Sequence, residues 1–287
     1  MVGRTDRRDG IFSSSLTAMG ATAIIQARMG STRLPGKVLK PLVGHPLLWH
    51  VVQQVRATQG LAEIVVATPD TPADDAIRAF CAREGVAVFS GDEDDVLDRY
   101  YQAARSFAAD PVVRVTSDCP LVDPALIGRL LTLFEEGGYD YASLAVGGPG
   151  EPSGANGYPD GMDVECFSFA ALEQAWSEAS EPADREHVTP YLLRDRQAFR
   201  CGWLVAEQDW SGIRVTVDEP EDFVVVEHVY EALYREGEPP FSLEDILRVL
   251  ARRPDLAEIN RGLMGKEKYR DLWGQLADRD EQGEKGP

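Results

Sequence analysis

From residue 22 the chain alternates short apolar, β-branched runs with longer amphipathic ones. Strands are expected at Thr22–Ala27, Glu63–Thr68, Val86–Phe89 and Val112–Thr116. Helices are expected between them at Pro46–Gln59, Ala73–Glu84, Asp94–Ala108 and Pro124–Glu136. The strand runs lack polar alternation, as strands covered on both faces should. Such alternation implies βαβ units: an α/β fold with a mostly parallel sheet and helices on both faces. After residue 138 the rhythm weakens. Strands are expected at Met162–Ser168, near Ala198–Val205 and at Ile213–Val217, with helices at Phe169–Ala179, Asp184–Arg194, Pro220–Glu236, Leu243–Arg252 and Lys266–Leu276. One domain with a small inserted subdomain is the simplest layout. Residues 1–20 read as a disordered leader, with Met19 as a candidate true start, 21–260 as the folded unit, and 261–287 as a helix and disordered tail.

Ligands of parallel sheets bind beyond the carboxyl ends of the strands, and three candidate site loops follow strands in this way: Arg28–Lys37, Thr68–Asp75 and Ser117–Asp123. Arg28–Lys37 places Arg28, Arg33 and Lys37 with Gly30, Gly36, Ser31 and Thr32 directly after the first strand. Glycines let backbone N–H groups approach an anion, and three cations suit a triphosphate. The spacing is neither that of a P-loop nor of a dinucleotide fingerprint. Arg114–Asp123 and Arg214–Asp222 each end a strand on an acid, Asp118 and Asp218. Either alone would pass as a cap; together they could hold a magnesium ion against a phosphate. Asp123 before Pro124 reads as a helix cap, and Glu219, Glu221 and Asp222 as partners of a helix dipole. In Asp160-Gly-Met-Asp-Val-Glu165, Asp163 and Glu165 share one strand face. Among the acids and bases of 184–189, His187 fits a structural hydrogen bond, a substrate contact or a base. The acids of Gly91–Arg99 read mostly as helix caps.

Composition narrows the partners. The 287 residues hold 29 basic and 48 acidic side chains, a net charge of −19, which argues against a nucleic acid polymer. The four cysteines lie far apart, so buried thiols in a reducing compartment are favoured over zinc. No apolar run is long enough to span a membrane, and residues 1–20 lack the apolar core of a signal peptide. The long Gly/Pro-rich stretch at 145–161 reads as a functional loop.

Ala27-Arg-Met-Gly-Ser-Thr-Arg-Leu-Pro-Gly-Lys-Val-Leu39 resembles the nucleotide-binding signature of the CMP-sugar synthetases, the cytidylyltransferases for acylneuraminate and 3-deoxy-manno-octulosonate. The likeness is greatest to their spore-coat-polysaccharide branch. Gly91–Arg99, Thr116–Pro124, Asp160–Glu165, Arg185–Pro190 and Asp218–Phe223 resemble later motifs in order. The resemblance implies a Rossmann-like nucleotidyltransferase fold, with Arg28, Lys37, Asp118 and Asp218 as catalytic residues. It implies that Ala27, Arg28, Gly30, Ser31, Arg33, Lys37, Thr68, Arg99 and Thr116 line the CTP site and that Asp118 and Asp218 hold Mg2+. It places Asp160, Asp163, Glu165, Arg185 and His187 on the acceptor side, within a part at 139–205 that also forms a homodimer. The implied activity is cytoplasmic, Mg2+-dependent transfer of CMP from CTP to an acidic sugar. The acidic Asp160–Glu165 run departs from the basic acceptor region of the sialic acid enzymes. A sugar phosphate or phosphonate acceptor, a glycosyltransferase using a nucleotide-sugar, and a non-catalytic nucleotide-binding module are the competing readings.

Overall fold

The computed structural model describes residues 20–148, 151–152 and 154–264. The expected helix at Lys266–Leu276 lies outside them, as do parts of the 145–161 loop. Nine strands are described: β1 (Ala21–Gln26), β2 (Pro41–Leu42), β3 (His45–Pro46), β4 (Leu61–Pro69), β5 (Ala87–Gly91), β6 (Val112–Thr116), β7 (Tyr141–Leu144), β8 (Val164–Phe167) and β9 (Cys201–Leu204). Seven form one sheet in the order β5-β4-β1-β6-β8-β7-β9, while β2 and β3 make a separate hairpin. The pairs β1–β4, β1–β6, β4–β5 and β7–β9 are parallel; β8 alone runs antiparallel, to both β6 and β7.

The helices are α1 (Leu47–Arg56), α2 (Asp75–Glu84), α3 (Val96–Ser106), α4 (Pro124–Gly137), α5 (Phe169–Glu178), α6 (Pro182–His187), α7 (Pro190–Arg194), α8 (Pro220–Leu233), α9 (Leu243–Arg252) and α10 (Pro254–Asn260). They cover both faces, because successive strand residues point to opposite sides. Ala23, Ile25, Val113 and Val115 join the apolar cluster under α1, α4, α8 and α9, whereas Ile24, Val112 and Phe167 join the one under α3, α5 and α7. The chain leaves β1 towards β4 and β5, then crosses back to β6 on the other side of β1. The crevice at such a reversal is the natural ligand site of a doubly wound sheet.

Two expected elements change, and β2, β3, β7 and α10 are additional to those the sequence predicts. The expected helix at Asp184–Arg194 is two short ones, α6 and α7. Pro190 cannot donate the bond that would continue the first, and Val188 turns the chain with φ +73°. The expected strand at Ile213–Val217 makes a single bridge, Asp160 to Arg214. The bridge is made by Asp160 N–H to Ile213 O (3.0 Å) and Val215 N–H to Asp160 O (2.7 Å), and Val217 N–H then bonds Asp118 O (2.8 Å) at the carboxyl edge. Residues 139–205 contribute β7, β8 and β9 to the main sheet.

Candidate active site

The basic loop leaves β1 at the reversal point and folds back on itself. Ser31 N–H and Gly36 N–H both donate to Met29 O, at 2.9 and 3.3 Å, and Gly36 has φ +68°. A side chain at that φ would be strained, so glycine fits the turn that delivers Lys37. Buried Asp74 holds the loop from outside, accepting from Met29 N–H (2.8 Å) and the Thr71 hydroxyl (2.6 Å). Asp74 lies in the Thr68–Asp75 loop that the sequence places at the site, although no motif singles the residue out. Ala27 is buried, Arg28, Gly30 and Arg33 are exposed, and a Cβ on Gly30 would meet open space. Ser31 accepts from Leu34 N–H at 3.3 Å.

The structure brings Lys37, Asp118 and Asp218 together from three distant segments. The Lys37 ammonium donates to Val217 O (2.7 Å), Asp218 Oδ1 (2.8 Å) and Asp118 Oδ2 (3.2 Å). Burial alone would lower the lysine's affinity for its proton, but the two carboxylates outweigh it and the pKa stands above the ordinary value. The Asp118 carboxyl, whose burial would raise its pKa, is held below the usual range by Lys37. Arg33 reaches Asp218 as well, at 3.1 Å, and the adjacent Glu219, at 3.3 Å.

Each acid is fixed by backbone geometry. Ser117 N–H donates to Gln26 O (3.0 Å) and Cys119 N–H to Thr116 O (3.2 Å), so Asp118 lies in a tight turn off β6, beside the exit of β1. The Thr116 hydroxyl lies 3.3 Å from Cys119 Sγ. Asp218 precedes α8, where Asp222 accepts from Asp218 N–H (3.1 Å) and Glu219 N–H (3.0 Å). Asp222, expected only to complement the helix dipole, is also the bidentate acceptor of Arg214, at 2.8 and 2.9 Å. Asp123 caps α4 as expected, accepting from Ala125 N–H at 2.7 Å.

The residues expected on the acceptor side are largely committed to the protein. Asp160 accepts from Arg214 at 2.5 Å. Glu165 pairs with Arg114 and accepts from the Tyr141 hydroxyl (2.8 Å) and the Thr189 hydroxyl (2.6 Å). The Arg185 guanidinium lies on Asp95, the N-cap of α3, at 2.5–3.0 Å and on Trp176 O at 2.7 Å. That engagement makes it a clamp between α3 and α6. Asp163 accepts from Gly161 N–H (2.8 Å), and burial with the nearby Asp118 charge pushes its carboxyl up to about 6. His187 is half-buried, and desolvation lowers its pKa. Thr68 and Arg99, expected to line the nucleotide pocket, are both 0 % exposed. Arg99 donates to the carbonyls of Asp92 and Glu93, while its Nε and Nη2 and the Thr68 hydroxyl find no hydrogen-bond partner among the described residues.

A doubly wound, mostly parallel sheet with a basic loop after its first strand is the arrangement of a nucleotidyltransferase. The chain belongs to the cytidylyltransferase family, whose sequence model matches residues 22–249. It is 34% identical over 244 residues to the spore coat polysaccharide biosynthesis protein SpsF of Bacillus subtilis, covering 82% of this chain and 95% of that one. It is 37% identical over 118 residues to the 3-deoxy-manno-octulosonate cytidylyltransferase of Geobacter sulfurreducens, covering 41% and 46%. The solved cytidylyltransferase of Leptospira borgpetersenii superposes with a TM-score of 0.76 at 29% identity, over 83% of this chain and 97% of that one.

Proposed function

We propose that the protein transfers CMP from CTP to an acidic sugar of the nonulosonic or 3-deoxy-2-keto class, releasing pyrophosphate with Mg2+ as cofactor. The observation that carries this reading is the Lys37 ammonium between Asp118 and Asp218, in the crevice that Arg33 also reaches. The partial likeness to a 3-deoxy-manno-octulosonate enzyme supports the acceptor class. The longer likeness to SpsF supports a role in polysaccharide synthesis. Residues 21–260 form the catalytic unit of this reading, and 139–205 face the acceptor and a second copy in a cytoplasmic homodimer.

The donor set fits the metal. Two hard carboxylate oxygens converge at Asp118 and Asp218, and no group of three or more potential ligands occurs among the described residues. Mg2+ characteristically takes one or two carboxylates and completes its shell with phosphate and water. Bound there, it would neutralise phosphate charge and polarise the phosphorus. The chain's own part is positioning and charge. Arg28, Arg33 and Lys37 hold the β- and γ-phosphates and stabilise the departing pyrophosphate. Ser31 and the N–H groups near Gly30 orient the same oxygens. An acceptor oxygen then attacks the α-phosphorus in line, from the side lined by Asp163 and His187.

The test is pyrophosphate release from each nucleoside triphosphate against a panel of sugar acids, sugar phosphates and phosphonates, with Mg2+ present. Release confined to CTP with a sugar acid is expected. Release with another triphosphate, or only with a phosphorylated acceptor, overturns the assignment. Lys37→Ala and Asp118→Ala should each lose release while keeping the wild-type circular dichroism spectrum.

A further inference from the structure

The Lys37 ammonium has three N–H donors, and all three have acceptors: Val217 O at 2.7 Å, Asp218 Oδ1 at 2.8 Å and Asp118 Oδ2 at 3.2 Å. Two of those acceptors are the carboxylates assigned above to Mg2+. The side chain is only 10 % exposed, so water does little to weaken its hold. Arg33 adds a second cation to Asp218 at 3.1 Å, on the same oxygen that Lys37 holds. A divalent ion on both acids would lie within a few ångströms of that ammonium, far inside the screening length of about 10 Å at 0.1 M salt. The ammonium occupies one oxygen of each acid, and Arg214 lies 3.6 Å from Asp218 Oδ2, so ammonium and cation compete for the same two carboxylates.

We propose that Lys37 guards the metal site: its ammonium must leave Asp118 and Asp218 before a divalent cation can take them, and the triphosphate is what draws it away. The proposal rests on the metal reading of the two acids. A triphosphate offers Lys37 and Arg33 new anionic acceptors beside the same loop, while its oxygens supply the ligands the cation lacks. The exchange needs no movement of the sheet. Lys37 follows the Gly36 turn, and its four-carbon stem can swing the ammonium by rotamer change alone. Metal and nucleotide are then coupled, and the coupling is equal in both directions. The loop that grips phosphate thereby keeps the carboxylates from gathering stray divalent ions in a protein carrying a net charge of −19.

Mn2+ binding followed by electron paramagnetic resonance tests this without turnover, using the full chain with and without CTP and no acceptor. Wild-type protein alone should bind Mn2+ weakly, and CTP should raise its affinity about 5- to 150-fold, the usual range of coupling between sites. Lys37→Met should raise Mn2+ affinity in the absence of nucleotide, and Asp218→Asn added to it should remove the gain. Equal Mn2+ affinity of wild type and Lys37→Met without CTP overturns the guarding role. So does wild-type binding that is as tight without CTP as with it, which decides the matter even if Lys37→Met does not fold. Asp218→Asn in the wild-type background separates the two levels. If it leaves Mn2+ binding in the presence of CTP intact, the metal reading itself falls. If it abolishes that binding, the acids hold metal and the other arms judge Lys37 alone.

Discussion

Arg214 meets Asp222 through two parallel hydrogen bonds, Nε to Oδ1 at 2.8 Å and Nη2 to Oδ2 at 2.9 Å, with both side chains almost wholly buried. The same guanidinium holds Asp160, and the same carboxylate holds the backbone N–H groups of Asp218 and Glu219 and the Asn260 amide. The pair therefore ties the start of α8 to the carboxyl edge of the sheet. Removing one partner of a buried pair leaves the other charge uncompensated, at a cost of about 3–5 kcal/mol. Asp222→Ala should lose stability of that order in urea unfolding, and it should lower pyrophosphate release by displacing Asp218.

Gly161 should not accept a side chain. Its φ is +103°, and a Cβ there would stand 2.4 Å from Thr216 N and 2.6 Å from Val215 C. Both obstacles are backbone, in the segment that leads to Asp218. Gly161→Ala should cost about 1–3 kcal/mol from overpacking, visible as a lower Tm, with activity falling further than stability alone explains. A variant with unchanged Tm and release would show that the segment shifts freely.

His50 makes stability depend on pH. It is buried under the β2–β3 hairpin, lies 2.7 Å from Leu42 O, and desolvation drives its pKa from 6.5 to about 4. Between those values the unfolded chain binds the proton that the folded protein refuses, so stability rises with pH through this window and is lost as pH falls from 6.5 towards 4. A shift of that size corresponds to about 3 kcal/mol. His50→Gln should flatten the dependence of unfolding free energy on pH between 4 and 6.5, and an unchanged slope would assign it to other groups.

Arg185 and Asp95 should behave as one structural unit. Asp95 caps α3 by accepting from Asp98 N–H at 2.8 Å and receives Arg185 from α6. Both side chains are partly exposed, so a double-mutant cycle of Asp95→Ala and Arg185→Ala should give a coupling of about 1 kcal/mol or less in unfolding free energy. The KM for acceptor should not change in Arg185→Ala. A rise in that KM at unchanged stability would return Arg185 to the acceptor site.

Much of this was legible in the chain because the signals are local. The apolar runs that became β1, β4, β5 and β6 were placed to within a few residues, since a strand buried on both faces needs continuous apolar residues. The basic loop and the acids Asp118 and Asp218 likewise stand in short contiguous motifs. The errors arose where partners far apart in sequence decide the outcome. Ile213–Val217 has a strand's composition, yet its bonds go to Asp160 and Asp118 at the sheet's edge. Glu165 and Arg185 also meet partners remote in sequence, Arg114 and Asp95, which no local motif announces. The β2–β3 hairpin and β7 are too short for periodicity to reveal, and no motif singles out Asp74 within its loop.

The single reversed strand has a consequence for how the fold can change. Because β8 runs against β6 and β7, Leu144 and Val164, the two ends of their connection, lie at the same edge of the sheet. It needs no crossover, and doubling the length of such a loop adds only about 0.6 kcal/mol of closure entropy. Insertions there can grow or shrink while β1, β6 and the loops that follow them keep their register. The sheet thus offers a fixed floor with an adjustable edge.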